Sequence, residues 1–208
     1  MKKGIIFDLD GTLWDTTKQV IPAWNKVLNI FNKKAITYKD MQELMGKTTS
    51  EISMILFSEL KINEGLKILN KCFEEEQVYL KEHGGLLYPN LEKTLKALKQ
   101  NYNLYIVSNC QSEYLEAFFT AHNLKHYFSD YETHGNTGLS KGENIQLVIN
   151  RNNLDKSVYV GDTIGDKESA QHADTPFIYA SYGFGNLPKQ QHEINEISEI
   201  IDCVSKII

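Results

Sequence analysis

The sequence predicts an α/β fold. A Rossmann-like parallel sheet carries helices on both faces, and a small all-helical unit is inserted after the first strand. Three observations carry this expectation. Short apolar runs at residues 4–7, 104–107 and 157–160 each end on a polar residue, the pattern of a buried strand meeting a loop. Helical periodicities lie between the later runs, as a parallel sheet with covered faces requires. Between about Asp15 and Gly85 no segment reads as a convincing strand.

Taken in order, the first run is Gly4-Ile5-Ile6-Phe7. Val20, Trp24, Val27, Leu28 and Phe31 then share one helical face, and Ile52, Ile55, Leu56 and Leu60 another. Leu66, Leu69, Phe73, Val78 and Leu80 suggest a long third helix, with Glu74-Glu75-Glu76 on its solvated side. Gly84-Gly85 would be the return hinge. Pro89-Asn90 starts a helix bearing Leu91, Leu95 and Leu98. Helices follow around Tyr114 to Phe119 and Ile145 to Ile149. Weaker strands are expected at residues 128–131 and 176–180. A final amphipathic helix is expected over residues 194–208, where isoleucines recur at helical steps. The division is therefore residues 1–14 and 86–208 for the α/β core, and 15–85 for the helical cap.

Composition narrows the function classes. With 208 residues, 41% hydrophobic, the chain can bury a core without disulfides or metal staples. Lys and Arg number 22 against 27 Asp and Glu, a net charge of −5. That argues against a nucleic-acid partner, whose phosphates are met mainly by Lys and Arg. The three cysteines are widely spaced, without a disulfide or metal pattern, which suits a reducing cytoplasm. After Lys2 and Lys3 the apolar run stops at Asp8, too short for an export signal, and no segment suits a bilayer. The expectation is a cytoplasmic monomer or homodimer acting on a small molecule.

In open parallel sheets, ligands bind beyond the carboxyl ends of the strands. The three best strands deliver Asp8, Ser108 and Asp162 to that edge, provided that they are neighbours. Asp8-Leu9-Asp10-Gly11-Thr12 sets two carboxylates two residues apart beside a glycine that frees the backbone. Gly161-Asp162 and Gly165-Asp166 add two acids four residues apart, expected on one helical face. Acids gathered at one edge repel unless a cation sits among them, and an all-oxygen set points to Mg²⁺. The six histidines are scattered and make no zinc site. A hydroxyl and backbone N–H groups at Ser108-Asn109 suit phosphate oxygens, and Lys141 at a helix start suits a point charge against phosphate.

In this order the residues resemble the haloacid dehalogenase-like hydrolase superfamily. Asp8 to Thr12 match its Asp-x-Asp-Gly-Thr motif, Ser108 its second motif, Lys141 its third, and Gly161 to Asp166 its Gly-Asp-x-x-x-Asp motif. Gly183-Phe184-Gly185 after the last strand looks most like the phosphoglycolate phosphatase-like branch. The resemblance implies a Mg²⁺-dependent phosphatase working on a small phosphorylated metabolite. Asp8 would be the nucleophile that forms an aspartyl-phosphate, and Asp10 the acid and then the base. Mg²⁺ would be held by Asp8, the backbone carbonyl of Asp10 and Asp162, with Asp166 behind them or an occasional ligand. Lys141, Ser108 and the backbone near Gly11, Thr12 and Asn109 would stabilise the transferring oxygens. The cap loop Gly46-Lys47-Thr48-Thr49 would lie over the site, with Lys47 either a solvated loop lysine or a partner for a second anionic group of the substrate.

Two other readings share parts of this set. A phosphosugar mutase of the beta-phosphoglucomutase type has the same first half-reaction, but its Arg-containing cap loop is not matched by residues 47–50. A phospho-acceptor module pairs similar groups in another order and lacks a helical insert. Three departures from the superfamily pattern stand out: Gly142-Glu143 follow Lys141 where Pro is common, Asn90 stands where Gly often does, and Trp14 follows Leu13.

Overall fold

The computed structural model describes all 208 residues. It opens with β1 (Lys3–Phe7) and a short β2 (Trp14–Asp15). Four helices follow: α1 (Thr17–Ile30), α2 (Tyr38–Leu44), α3 (Thr49–Leu56) and α4 (Ile62–His83). The chain continues through β3 (Leu86–Leu87), α5 (Leu91–Leu98), β4 (Asn103–Ser108), α6 (Ser112–His122) and β5 (Phe128–Thr133). Next come α7 (His134–Thr137), α8 (Lys141–Arg151), β6 (Lys156–Gly161), α9 (Ile164–His172) and β7 (Phe177–Ala180). It ends with β8 (Glu193–Ile194) and α10 (Ile200–Val204).

Six strands form one parallel sheet in the order β5-β4-β1-β6-β7-β8. Strand β1 is central because it is apolar on both faces. Ile5 and Phe7 point into a core shared with α5, α6 and α10, whereas Ile6 points into a core with Ile145 and Val148 of α8. All five expected strands are present. The adjacency assumed for the three strand ends is a fact of this order, since β1 lies between β4 and β6.

The segment from α1 to α4 is wholly helical and joined to the sheet through a two-stranded ribbon. Trp14 pairs with Leu87 and Asp15 with Leu86, antiparallel, so the chain leaves and re-enters at one place. Gly84 ends α4 with φ +69°, as a return after a helix requires. Two-residue strands carry no periodicity, which is why the ribbon has no sequence signature.

Three expectations fail. The final isoleucines do not form one helix. Ile194 extends the sheet edge beside Ala180, and a 3₁₀ turn (Ile197–Glu199) precedes α10. The edge strand captures the backbone, and Ile194, Ile197, Ile200 and Val204 are buried with steps of three and four. The run Glu74-Glu75-Glu76 is not uniformly solvated either. Glu76 lies four residues from both Cys72 and Leu80 along α4, and all three are buried. Among the residues read as apolar helix faces, Phe31, Ile55, Val78 and Ile201 are exposed.

Candidate active site

Asp8 follows β1 directly. Its backbone N–H donates to the Val160 carbonyl, continuing the ladder. The chain then reverses: Leu13 N–H donates to the Leu9 carbonyl and Gly11 N–H to the Trp14 carbonyl. This turn needs Gly11, which has φ +79°. A Cβ there would lie 2.3 Å from Asp162 Oδ2. The same turn carries the Trp14 indole back to Asp10.

Asp8, Asp162 and Asp166 are buried and form one cluster, each offering an oxygen within 4.8 Å of the others. Lys141, the first residue of α8, is the cation among them. Its Nζ donates to Asp8 Oδ1 at 3.0 Å and to Asp166 Oδ1 at 2.7 Å. Ser140 caps α8 in a reciprocal pair with Glu143, and this fixes where the lysine starts its reach. The cluster carries an excess of two negative charges when ionised.

The three carboxylates are not equivalent. Asp166 is not on a shared helical face with Asp162, because the helix begins after Thr163. It is instead the third residue of α9 and closes a capping box with Thr163. Its Oδ2 accepts from the backbone N–H groups of Asp162 and Thr163 and from the Thr163 hydroxyl. Burial opposes its charge, but Lys141 and these donors outweigh it and hold the pKa below the usual carboxylate range. Asp8 goes the other way. Burial, then the Asp166 charge, push its pKa well up, and Oδ2 has no partner. Asp162 is pushed to about 7, by burial and then by Asp166. Its Oδ2 accepts from Phe184 N–H at 2.6 Å and Gly185 N–H at 3.3 Å, while Oδ1 has no partner. Gly183 permits this wrap, since a Cβ there would lie 2.3 Å from the Asp162 Cβ.

Asp10 is buried but turned away from the cluster. Its Oδ1 accepts from Trp14 Nε1 at 2.9 Å and from the Tyr114 hydroxyl at 2.6 Å. Thr16 Oγ1 lies 2.8 Å behind that hydroxyl. The phenol proton goes to the carboxylate, so the Thr16 hydroxyl donates to the phenol oxygen. Burial raises Asp10 to about 6 against the pull of both donors. Sequence reading missed both partners. Tyr114 is 104 residues away and reads as an apolar helix residue.

Ser108 closes β4, and its Oγ accepts from Cys110 N–H at 3.3 Å. Thr12 Oγ1 is buried without a partner. The Asn109 side chain reaches the helical insert, where Nδ2 donates to the Gly46 carbonyl at 2.9 Å. Gln111 Nε2 donates to Thr49 Oγ1 at 2.8 Å. The loop between α2 and α3 is thereby latched onto the loop after β4, with Lys47 lining the clefts on both sides. His83, His122, His126, His134, His172 and His192 take no part in the cluster.

The description "Haloacid dehalogenase-like hydrolase" fits residues 5–180, from β1 through β7. Phosphoglycolate phosphatase of Aquifex aeolicus is 28% identical over 193 residues, covering 89% of this chain and 88% of its own length. Two solved structures have the same fold. One is a predicted phosphoglycolate phosphatase from Haemophilus somnus, at TM-score 0.83 and 22% identity, covering 98% of each chain. The other is a haloacid dehalogenase-like family hydrolase from Streptococcus pneumoniae, at TM-score 0.84 and 19% identity, covering 97% of each chain. No helix is long and apolar enough to cross a membrane. With its motif residues gathered at one sheet edge and the family pattern running through nearly all of the sheet, the chain belongs to the haloacid dehalogenase-like hydrolase family, in the branch similar to phosphoglycolate phosphatases.

Proposed function

We propose that this protein is a Mg²⁺-dependent phosphatase that hydrolyses a small phosphate monoester through an aspartyl-phosphate on Asp8. The observation that carries the reading is the pair of unpartnered buried oxygens, Asp8 Oδ2 and Asp162 Oδ1, in a cluster with surplus negative charge. Buried polar atoms without partners need an explanation, and an oxygen-liganded divalent cation supplies it. Asp8 and Asp162 would hold the ion through those atoms, with the Asp10 backbone carbonyl beside them. Asp166 has both oxygens occupied, so its part is to fix Lys141 and the turn at Thr163. Bound Mg²⁺ would neutralise charge between an anionic nucleophile and an anionic phosphate.

In this reading Asp8 attacks phosphorus in line with the departing oxygen. Asp10, raised by burial to about 6 and so able to exchange a proton close to neutral pH, gives its proton to that oxygen and then takes one from the hydrolytic water. Lys141 and Ser108 meet the equatorial oxygens. Helices α1 to α4 act as the cap, and the Asn109–Gly46 and Gln111–Thr49 bonds are its closing latch. The domain division at residues 15–85 rests on this role.

The purified protein should hydrolyse p-nitrophenyl phosphate in Mg²⁺, lose at least about 100-fold of that rate on chelation, and regain it when Mg²⁺ returns. Absence of turnover with any phosphate ester in Mg²⁺ would overturn the reading. Isomerisation of a hexose phosphate with a bisphosphate primer would replace hydrolysis by the mutase reaction. Tyr114→Phe removes one of two donors on Asp10 and leaves the Thr16 hydroxyl without its partner. We expect kcat to fall about tenfold with KM little changed, and stability to fall by about 1–2 kcal/mol, read by initial rates and urea unfolding.

A further inference from the structure

A cavity lies between the helical insert and the sheet edge, on the Asp10 side of the site. Asp10, Ser108 and Tyr114 form its floor, whereas Asp8, Lys141 and Asp162 do not line it. Its walls are mainly apolar, with Trp24, Met41, Ile52 and Phe73 among them. The cavity volume is about 60 Å³, room for a few waters or a leaving group of a few heavy atoms. Glu76 also lines it, although only 3% of that residue is exposed.

Glu76 is unusual for a buried acid. Its Oε2 accepts from Trp24 Nε1 at 3.1 Å, its single hydrogen bond in the protein, and no Lys, Arg or His pairs with it. Buried carboxylates normally have a cation or several donors. The other oxygen, Oε1, therefore remains as an acceptor within an apolar chamber. Burial, and the Asp10 charge with it, raise the Glu76 carboxyl to about 8 against the pull of the Trp24 donor, so it ionises in alkaline solution or beside a cation. The one lysine lining the chamber is Lys47.

We propose that this chamber receives the leaving alcohol, and that Glu76 selects alcohols bearing a hydrogen-bond donor, a hydroxyl or an ammonium, over those bearing a carboxylate. The inference rests on the phosphatase reading, because that reading puts the departing oxygen beside Asp10. A phosphoryl group held at Asp8 and Lys141 then directs its ester oxygen past Asp10 into the chamber. A hydroxyl or ammonium on the second carbon would donate to Oε1, and an ammonium would also favour the ionised form of Glu76 and pair with it. A carboxylate would bring a third acid into an apolar chamber already lined by Glu76 and Asp10.

Four two-carbon esters of matched size test this: ethyl phosphate, 2-hydroxyethyl phosphate, O-phosphoethanolamine and phosphoglycolate. In Mg²⁺ at about pH 9, where Glu76 is ionised, the native protein should show kcat/KM at least about tenfold higher for the hydroxyl and ammonium esters than for ethyl phosphate, with phosphoglycolate the poorest. Glu76→Gln keeps a carbonyl acceptor but no charge. It should retain the hydroxyl preference and lose the ammonium preference. Glu76→Leu should lose both, and thermal unfolding identifies whether each variant is folded. Phosphoglycolate turned over as well as the hydroxyl ester by the native protein would overturn the proposal. So would an ammonium preference that survives in Glu76→Gln. Turnover of ethyl phosphate with no preference sinks the selectivity alone, whereas no turnover of any of the four esters or of p-nitrophenyl phosphate sinks the phosphatase reading beneath it.

Discussion

Asp8→Asn should abolish turnover, by at least about 10⁴-fold, and leave the protein at least as stable as before when metal is absent. The two effects have one cause. Asp8 is buried, shares its cluster with Asp162 and Asp166, and has one oxygen without a partner. Its raised pKa means that the fold disfavours its charge, by burial first and by Asp166 next. An amide of the same shape removes that unfavourable charge and also removes the anionic nucleophile. Initial rates with p-nitrophenyl phosphate and metal-free thermal unfolding read the two effects separately. Substantial turnover by Asp8→Asn would refute Asp8 as the nucleophile. A folded variant that still incorporates acid-stable or covalently bound phosphate from substrate would refute it equally.

Lys141→Met should reverse the stability effect while also losing activity, by about 10²- to 10³-fold. Lys141 is 4% exposed on its side chain and is the cation shared by Asp8 and Asp166. Burial alone would lower its pKa. The Asp166 and Asp8 carboxylates more than reverse this, so the ammonium is firmly charged. Removing one member of a buried ion network leaves the others uncompensated, a cost of about 3–5 kcal/mol. Asp166 would keep its Thr163 and backbone donors on Oδ2, while Asp8 Oδ1 would lose its ion-pair partner. Urea unfolding of the metal-free protein measures the loss. A Lys141→Met protein as stable as the native chain would show that the cluster is not organised around this cation. The contrast with Asp8→Asn is the sharper test, since the two changes shift cluster charge in opposite directions.

Legibility in the sequence followed locality. The strand ends at Asp8, Ser108 and Asp162 were readable because apolar runs stop there. Their convergence needed only the general rule for parallel sheets. Each departure from the superfamily pattern has a local cause in three dimensions. Asn90 has φ +65°, a left-handed conformation that asparagine tolerates better than most residues. Gly142 has the His172 ring where a Cβ would sit, with its nearest atom at 2.8 Å. Trp14 is a donor to Asp10. What stayed hidden depends on contacts between distant segments. Tyr114 reaches Asp10 across 104 residues, and Asn109 reaches Gly46 across 63. Glu76 was obscured differently, by acidic neighbours that suggested a solvated face. The signal that could have found it is its spacing of four from Cys72 and Leu80. The C-terminal isoleucines misled because burial at steps of three and four serves an edge strand, a turn and a short helix as readily as one long helix.

The central position of β1 also sets the order in which this protein can be made. Its neighbours are distant: Ile5 pairs with Leu104 on one side and with Val158 on the other. Strand β1 therefore has no sheet to join until about 100 further residues have been synthesised, and no second neighbour until about 150 have been. Helices α1 to α4, whose contacts are more local, can form in that interval. Asp8 thus precedes its lysine by 133 residues and acquires it only when α8 has emerged. Phosphatase activity would then report the closing of the sheet's centre, one of the last long-range events in folding, rather than the earlier gain of helix.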